Sequence, residues 1–175
     1  MRMTGWVVVA SGVALFAMAG RGPGFDVPAG ASSFTPAPKA AVEKEVRQFA
    51  ASVSRDITQQ GPSAWEKHFA DSPAFFMASE GNLVFPNRQA ATQAIRELTQ
   101  TVQHMELTWG DDLRVDALTP EFAVLASSWH EVQADKEGHQ TTESGFFTGL
   151  AERRNGQWQF RNAHWSVVAP APVAK

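Results

Sequence analysis

The stretch "RRNGQWQFRNAHWS", residues 153–166, decides the fold of this chain. The Asn-Gly pair at 155–156 is the dipeptide most typical of a two-residue turn between antiparallel strands. Side chains along a strand alternate between the two faces of a sheet. Trp158 and Phe160 therefore fall on one face and Trp165 on the other. The stretch predicts a hairpin strand that carries aromatic side chains on both faces.

Helices are predicted in the first part of the chain and strands in the second. Apolar residues recur at helical spacing in three segments, and they alternate or cluster as in strands in six others. The predicted helices cover residues 40–60, 63–70 and 87–102, and the predicted strands cover residues 74–78, 83–85, 104–115, 122–134, 141–153 and 158–168. Helices that precede a run of antiparallel strands indicate an α+β architecture.

Two turns set the predicted register of the last three strands. The Asn-Gly turn places Phe147 opposite His164. A four-residue turn over residues 135–138 places His130 opposite Glu143. One face then carries His130, Glu143, Phe147, Trp158, Phe160 and His164, and the opposite face carries Trp129, Glu131, Phe146, Thr148, Arg161 and Trp165.

Neither of these two faces is a polar, solvent-facing surface. A sheet that is apolar on both sides is covered on both sides, and the predicted helices can cover only one. The other face then needs a partner chain, or it leaves a large exposed apolar patch. The sequence therefore predicts a homodimer, formed through the face that carries Trp158, Phe160 and His164.

The first 19 residues are typical of a signal peptide. Arg2 precedes an apolar run over residues 6–19 that ends in Ala17-Met18-Ala19, a small-x-small cleavage pattern. The run is shorter than the roughly 20 residues that span a bilayer. We expect cleavage, secretion or export to the periplasm, and no membrane association afterwards; an uncleaved anchor is the alternative. Residues 20–39 are predicted to be a disordered linker, and residues 169–175 a frayed tail.

The composition excludes several kinds of chemistry. The chain has no Cys and no Tyr, so disulfides, thiolates, Cys-ligated metals and phenol-dependent mechanisms are excluded. A net charge of -3 gives no basic surface of the kind that binds nucleic acid. The segment that begins at His130 has Ala134 where a zinc motif needs a second His. We predict neither a metal nor a cofactor.

Residues 40–168 resemble the nuclear transport factor 2-like superfamily, and within it the SnoaL-like group. The resemblance rests on the segments "HFADSPAFF" and "FPNRQAATQAI" and above all on "RRNGQWQFRNAHWS". The association domain of calcium/calmodulin-dependent kinase and ketosteroid isomerase are similar in this last strand. The resemblance implies three helices packed on a strongly curved, mostly antiparallel sheet, which together form a cone with a pocket.

The resemblance also implies which face lines that pocket. In ketosteroid isomerase a Trp at the position of Trp165 lines the pocket, so the face of Trp165 is expected to be concave. The predicted ligand-binding residues are Trp165, Thr148, Trp129, Phe146, Phe69, Met77 and Arg161. Glu131 lies on the same predicted face and is the one catalytic candidate, as a general base.

The comparison with ketosteroid isomerase argues against that activity in this chain. The isomerase needs a Tyr, a carboxylate base and a protonated Asp. The compared positions hold Val53 or Ser54, Met77 or Ala78, and Thr148. We expect an exported domain with a largely apolar small-molecule pocket. Two alternatives stay open: an enzyme of the isomerase, cyclase or hydrolase type, and a non-catalytic dimeric assembly module.

Overall fold

The structure is a computed structural model that describes residues 36–168. It contains the α-helices α1 (Pro36–Gln60), α2 (Trp65–His68) and α3 (Arg88–Thr101), with a 3-10 turn (Pro62–Ala64) before α2. Its strands are β1 (Phe76–Ser79), β2 (Asn82–Phe85), β3 (Val102–Trp109), β4 (Arg114–Ala117), β5 (Phe122–Asp135), β6 (Gln140–Arg154) and β7 (Gln157–Val167). The predicted signal peptide and tail lie outside the described residues. Helix α1 begins at Pro36 and so includes the last residues of the predicted linker.

The seven strands form one sheet that is mostly antiparallel. The strand order is β2-β1-β7-β6-β5-β3. Strand β4 is not part of this order and pairs with β5. Strands β1 and β7 form a parallel pair, and the other pairs are antiparallel. The two ends of the order do not pair, so the sheet is not closed. The predicted α+β class, with three helices on a mostly antiparallel sheet, is confirmed.

Helix α1 packs along the concave side of the sheet. Its apolar stripe is buried, as the spacing of Val46, Val53 and Ile57 predicts. Two indole N–H groups of the sheet donate to the helix: Trp109 Nε1 to the Ala50 carbonyl at 2.8 Å, and Trp158 Nε1 to the Glu45 carboxylate at 3.1 Å. These bonds join β3 and β7 to the same helix, so the sheet wraps around α1.

A β-bulge in β7 changes which side chains face α1. Ala151 pairs with Phe160, but the preceding residue, Leu150, pairs with Asn162. Arg161 is therefore an extra residue in β7, and an extra residue reverses the alternation beyond it. Trp158 and Phe160 lie on the concave face before the bulge, and Trp165 lies on the same face after it.

The turn between β5 and β6 is one residue shorter than predicted. The Asp135 amide donates to the His139 carbonyl at 3.0 Å, which leaves three residues in the loop. Gly138 ends the loop with a φ of 87°. Three-residue loops with a glycine in the left-handed region are common connections in β-hairpins. As a result Glu131, and not His130, lies opposite Glu143.

The predicted dimer face is wrong. Phe160 is fully buried and its ring lies 4.8 Å from that of Phe49 on α1. Trp158 is buried and bonded to the same helix. These aromatic side chains lie in the core between the sheet and α1, where they cannot contact a second subunit. His164 is exposed on the opposite face.

Among the helices of residues 36–168, none combines the length and the apolar character that crossing a bilayer requires.

Candidate functional site

A cavity of about 350 Å³ lies between the concave face of the sheet and helices α2 and α3. Thirteen of its sixteen lining residues are apolar, and the remaining three are Glu131, Gln133 and Glu143. The apolar residues are Trp65, Phe69, Met77, Phe85, Ala94, Ile95, Leu98, Met105, Leu107, Trp109, Trp129, Phe147 and Trp165. An apolar cavity with a few polar groups at one place is the usual form of a small-molecule site.

Aromatic rings form a continuous wall along one side of the cavity. Trp65 stacks on Phe69, with ring centroids 5.5 Å apart. Phe69 is followed by Phe85 at 6.5 Å, and Phe85 by Trp165 at 6.1 Å. These rings come from α2, the residue after it, β2 and β7, so the wall depends on the tertiary fold. Phe147 and Trp109 form a second ring contact, at 5.3 Å.

Helix α3 closes the cavity opposite the sheet. Its amino terminus is fixed by Asn87, whose side chain accepts a hydrogen bond from the Ala90 amide at 2.9 Å. The helix then presents Ala94, Ile95 and Leu98 to the cavity at spacings of one and three residues. Ile95 and Leu98 belong to the apolar stripe that the helical period of the sequence predicts, and Ala94 lies beside it.

The polar residues of the cavity sit together on β5 and β6. Glu131 and Glu143 are direct partners across the two strands. Gln133 Nε2 donates to Glu131 Oε1 at 2.5 Å. Glu131 is half-buried and Glu143 is exposed, so the cavity reaches solvent beside Glu143. We refer to Glu131 and Glu143 as the carboxylate pair.

Burial raises the pKa of the Glu131 carboxyl above its ordinary value of 4.5. The hydrogen bond from Gln133 opposes this shift, and the negative charge of Glu143 adds to it. Glu131 therefore accepts a proton more readily than an ordinary carboxylate does. A carboxyl in this state can act as an acid or a base, or it can bind a ligand through hydrogen bonds.

Four of the seven predicted ligand-binding residues line the cavity. They are Trp165, Trp129, Phe69 and Met77, and the catalytic candidate Glu131 lies with them. Their predicted contact with a ligand stays a prediction.

The predicted positions of the other three residues are wrong. Phe146 and Thr148 are exposed on the face opposite the cavity, because β6 presents Phe147 to the inside. Arg161 occupies the bulge of β7, where its guanidinium carbon lies 5.5 Å from the centre of the Phe122 ring. It does not line the cavity.

Eleven of the sixteen residues that line the cavity are absent from the predicted site, and Glu143, Phe147 and Gln133 are among them. The predicted register places Glu143 and Phe147 on the convex face, and no motif in the sequence marks Gln133. The signal that indicates the observed register between β5 and β6 is Gly138. A glycine that closes a three-residue loop gives the pairing of Glu131 with Glu143, which a four-residue turn excludes.

A buried histidine–carboxylate pair lies outside the cavity. His68 on α2 contacts Asp56 of α1, with 3.1 Å between Nε2 and Oδ2. Lys67 forms an ion pair with the same carboxylate at 3.0 Å. Burial lowers the pKa of His68 below 6.5, and the nearby Asp56 carboxylate opposes that shift. This cluster joins α1 to α2 and is not among the cavity residues.

Several solved structures share the fold of this chain. One is a nuclear transport factor 2-like superfamily protein from Salmonella enterica serovar Typhimurium; it is 16% identical, with a TM-score of 0.62 over 78% of this chain and 97% of that one. A second is a type 2 hexachlorocyclohexane dehydrochlorinase, which is 13% identical, with a TM-score of 0.58 over 77% of this chain and 93% of that one.

A third similar structure is a protein of unknown function from Mycobacterium tuberculosis. It is 16% identical, with a TM-score of 0.61 over 79% of each chain. No family model matches the sequence, and no curated protein sequence matches it. The chain has the nuclear transport factor 2-like fold, as predicted from its last strand. Because the proteins with this fold include both enzymes and proteins of unknown function, the fold leaves the activity open.

Proposed function

We propose that this protein binds a small, mainly apolar molecule in the cavity between its sheet and helices α2 and α3. The observation that carries the proposal is the cavity itself, which is lined by thirteen apolar residues and holds the carboxylate pair at one place. In a filled core these apolar side chains would leave no space between them. Here they border a space of about 350 Å³, which is within the usual size range of small-molecule sites.

The position of the polar groups supports a ligand with one polar end. The aromatic wall from Trp65 to Trp165 offers only apolar surface and ring faces. Glu131 and Gln133 offer hydrogen-bonding groups on β5. A ligand that matches this arrangement has an apolar body and one polar group that reaches β5.

A neutral fluorescent probe tests the proposal. N-phenyl-1-naphthylamine gains fluorescence when it leaves water for an apolar site, and we expect saturable binding to the purified protein. Ala94→Trp fills part of the cavity from α3 and should weaken binding at least tenfold. Ala90→Trp adds the same side chain one helical turn earlier, outside the cavity, and should leave binding unchanged.

Two results would contradict the proposal. One is the absence of saturable probe binding by the folded wild-type protein. The other is an equal loss in the two Trp variants, since the probe would then bind elsewhere on α3. Circular dichroism before each titration shows whether each variant is folded.

An acid–base enzyme is the second candidate function, and the state of Glu131 favours it. A half-buried carboxyl with a raised pKa can remove a proton from a bound molecule near neutral pH. Exchange of the α-protons of 2-tetralone in D2O, followed by NMR, tests this function. The wild type should exceed Glu131→Gln in exchange rate; equal rates would contradict it. Ketosteroid isomerase activity is not proposed, because Val53 and Met77 supply neither phenol nor base.

Export of the protein is also proposed, and it rests on the sequence of residues 1–19 alone. The apolar run before Ala17-Met18-Ala19 supports cleavage near Gly20. Amino-terminal sequencing of the protein from its host tests this. A cytoplasmic product that retains residues 1–19 would contradict it.

A further inference from the structure

The charged residues that line the cavity are all acidic. Among its lining residues in the described part of the chain, Glu131 and Glu143 carry charge, and no Lys, Arg or His is present. An anionic ligand would therefore meet two carboxylates and no compensating cation. The cavity favours a ligand that is neutral or positively charged.

The two carboxylates are placed against each other by the sheet. Residues directly opposite on antiparallel strands have Cβ atoms about 4.5–5.5 Å apart, and like charges in such pairs are unfavourable. Glu131 and Glu143 form such a pair. β3 places Leu107 on the other side of Glu131, so within residues 36–168 neither strand beside β5 offers a cation there. A positive group bound between the two carboxylates would remove this repulsion and would also compensate the partial burial of Glu131.

Aromatic rings line the same cavity as the carboxylate pair, and one of them is its neighbour on β5. Trp129 precedes Glu131 by two residues on the same face of β5, and Phe147 and Trp165 line the same cavity from β6 and β7. The faces of aromatic rings attract organic cations, and indole does so most strongly. Carboxylates beside indole rings are chemically suited to an ammonium group attached to an apolar body.

We propose that the cavity selects hydrophobic amines, with the protonated nitrogen between Glu131 and Glu143 and the apolar body against Trp129, Phe147 and Trp165. This inference rests on the proposed function, because it names the class of molecule that the same cavity binds. Alkylamines are protonated at neutral pH, as the lysine side chain is. The ammonium supplies hydrogen-bond donors to both carboxylates, and the rings replace the water around the carbon skeleton.

Three compounds that share one ring system test the selection by charge. They are 2-(1-naphthyl)ethylamine, 2-(1-naphthyl)ethanol and 1-naphthaleneacetate, and each displaces N-phenyl-1-naphthylamine in a competition titration at pH 7. The amine should bind at least tenfold more tightly than the alcohol, as expected for charge-assisted hydrogen bonds. The acetate should bind more weakly than the alcohol, because its carboxylate meets the carboxylate pair.

Variants of the carboxylate pair test whether Glu131 and Glu143 cause the preference for the amine. Glu131→Gln and Glu143→Gln should each reduce the preference for the amine over the alcohol severalfold, while binding of the alcohol and of the neutral probe persists. Glu106→Gln is the control, since Glu106 is exposed and belongs to the neighbouring strand β3 without lining the cavity. It should leave the preference unchanged.

The outcomes separate this inference from the proposed function. If the probe binds in the cavity but the amine binds no better than the alcohol, selection of amines is refuted and a small-molecule site remains. An amine preference that persists in both Gln variants also refutes it. If neither the probe nor any naphthyl compound binds, both proposals fail.

Discussion

Glu131 on β5 and Glu143 on β6 lie directly opposite each other, and both line the same cavity. Burial and the charge of Glu143 raise the pKa of Glu131 above 4.5, against a lowering by the bond from Gln133. The folded protein therefore holds this proton more tightly than the unfolded chain does. It follows that ionisation of Glu131 costs folding free energy, and that this cost develops as the pH rises above about 4.5.

Replacement of Glu131 by Gln should therefore stabilise the protein at neutral pH. Gln carries no charge, so the cost of ionisation disappears while the side chain keeps nearly the same shape. The melting temperature of Glu131→Gln should exceed that of the wild type at pH 7, and the difference should shrink towards pH 4, where Glu131 is protonated.

The charged group that faces Glu131 in the cavity is Glu143, while β3 and α3 present Leu107, Ile95 and Leu98. The control for the melting experiment is Glu97→Gln on the exposed side of α3, which should show no comparable gain at pH 7. A lower melting temperature for Glu131→Gln at pH 7 would contradict the argument.

Two phenylalanines test the register of β6 and β7. Phe160 is fully buried, whereas Phe146 is 44% exposed on the opposite face. Phe160→Ala should lower the free energy of unfolding by about 3–5 kcal/mol, as large-to-small core changes do. Phe146→Ala should change it by less than about 0.5 kcal/mol. Urea unfolding measures both, at a protein concentration where light scattering gives the mass of a monomer, and similar costs for the two variants would contradict the observed register.

The helices were predictable because apolar residues recur at helical spacing several times within one helix. Val46, Val53 and Ile57 identify the buried side of α1 without any knowledge of the sheet, and the structure buries them all. The Asn-Gly turn was equally informative at short range, because a two-residue turn at 155–156 pairs Arg154 with Gln157, and the structure contains this pair. Local signals of this kind carry their information within a few residues.

The faces of the sheet were harder to predict, because they depend on the exact number of residues between pairings. One error was at the turn before β6, and the other at the bulge in β7, where Arg161 has neither glycine nor proline beside it as a marker. Each error shifts the pairing by one residue. The two shifts cancel between β5 and β7, so the predicted face is right for Trp129 and Trp165, which line the cavity. On β6, which lies between them, the two faces are exchanged. This is why Thr148 was assigned to the pocket and Phe147 to the outside.

The homodimer stays a prediction; Trp158 and Phe160 of the predicted face are buried, so the exposed side of the sheet is the surface on which to test it. We use the name open face for the exposed side of the sheet that carries Phe146, Thr148 and His164. If two chains associate through the open face, Phe146→Glu should yield a monomer in light scattering at micromolar concentration. Leu118→Glu adds the same charge at an exposed apolar residue just after β4 and should not change the molar mass. A monomeric wild type would contradict the prediction.

Trp165 and Thr148 were both predicted to contact a ligand, and the structure now separates them. Trp165 ends the aromatic wall, 6.1 Å from Phe85, whereas Thr148 is exposed on the open face. Trp165→Ala should weaken binding of N-phenyl-1-naphthylamine by about 1–3 kcal/mol, the contribution of one large aromatic contact. Because Trp165 is only half-buried, the variant should still fold. Thr148→Val is nearly isosteric and should leave the dissociation constant unchanged; weaker binding in this variant would place the ligand on the open face and contradict the site.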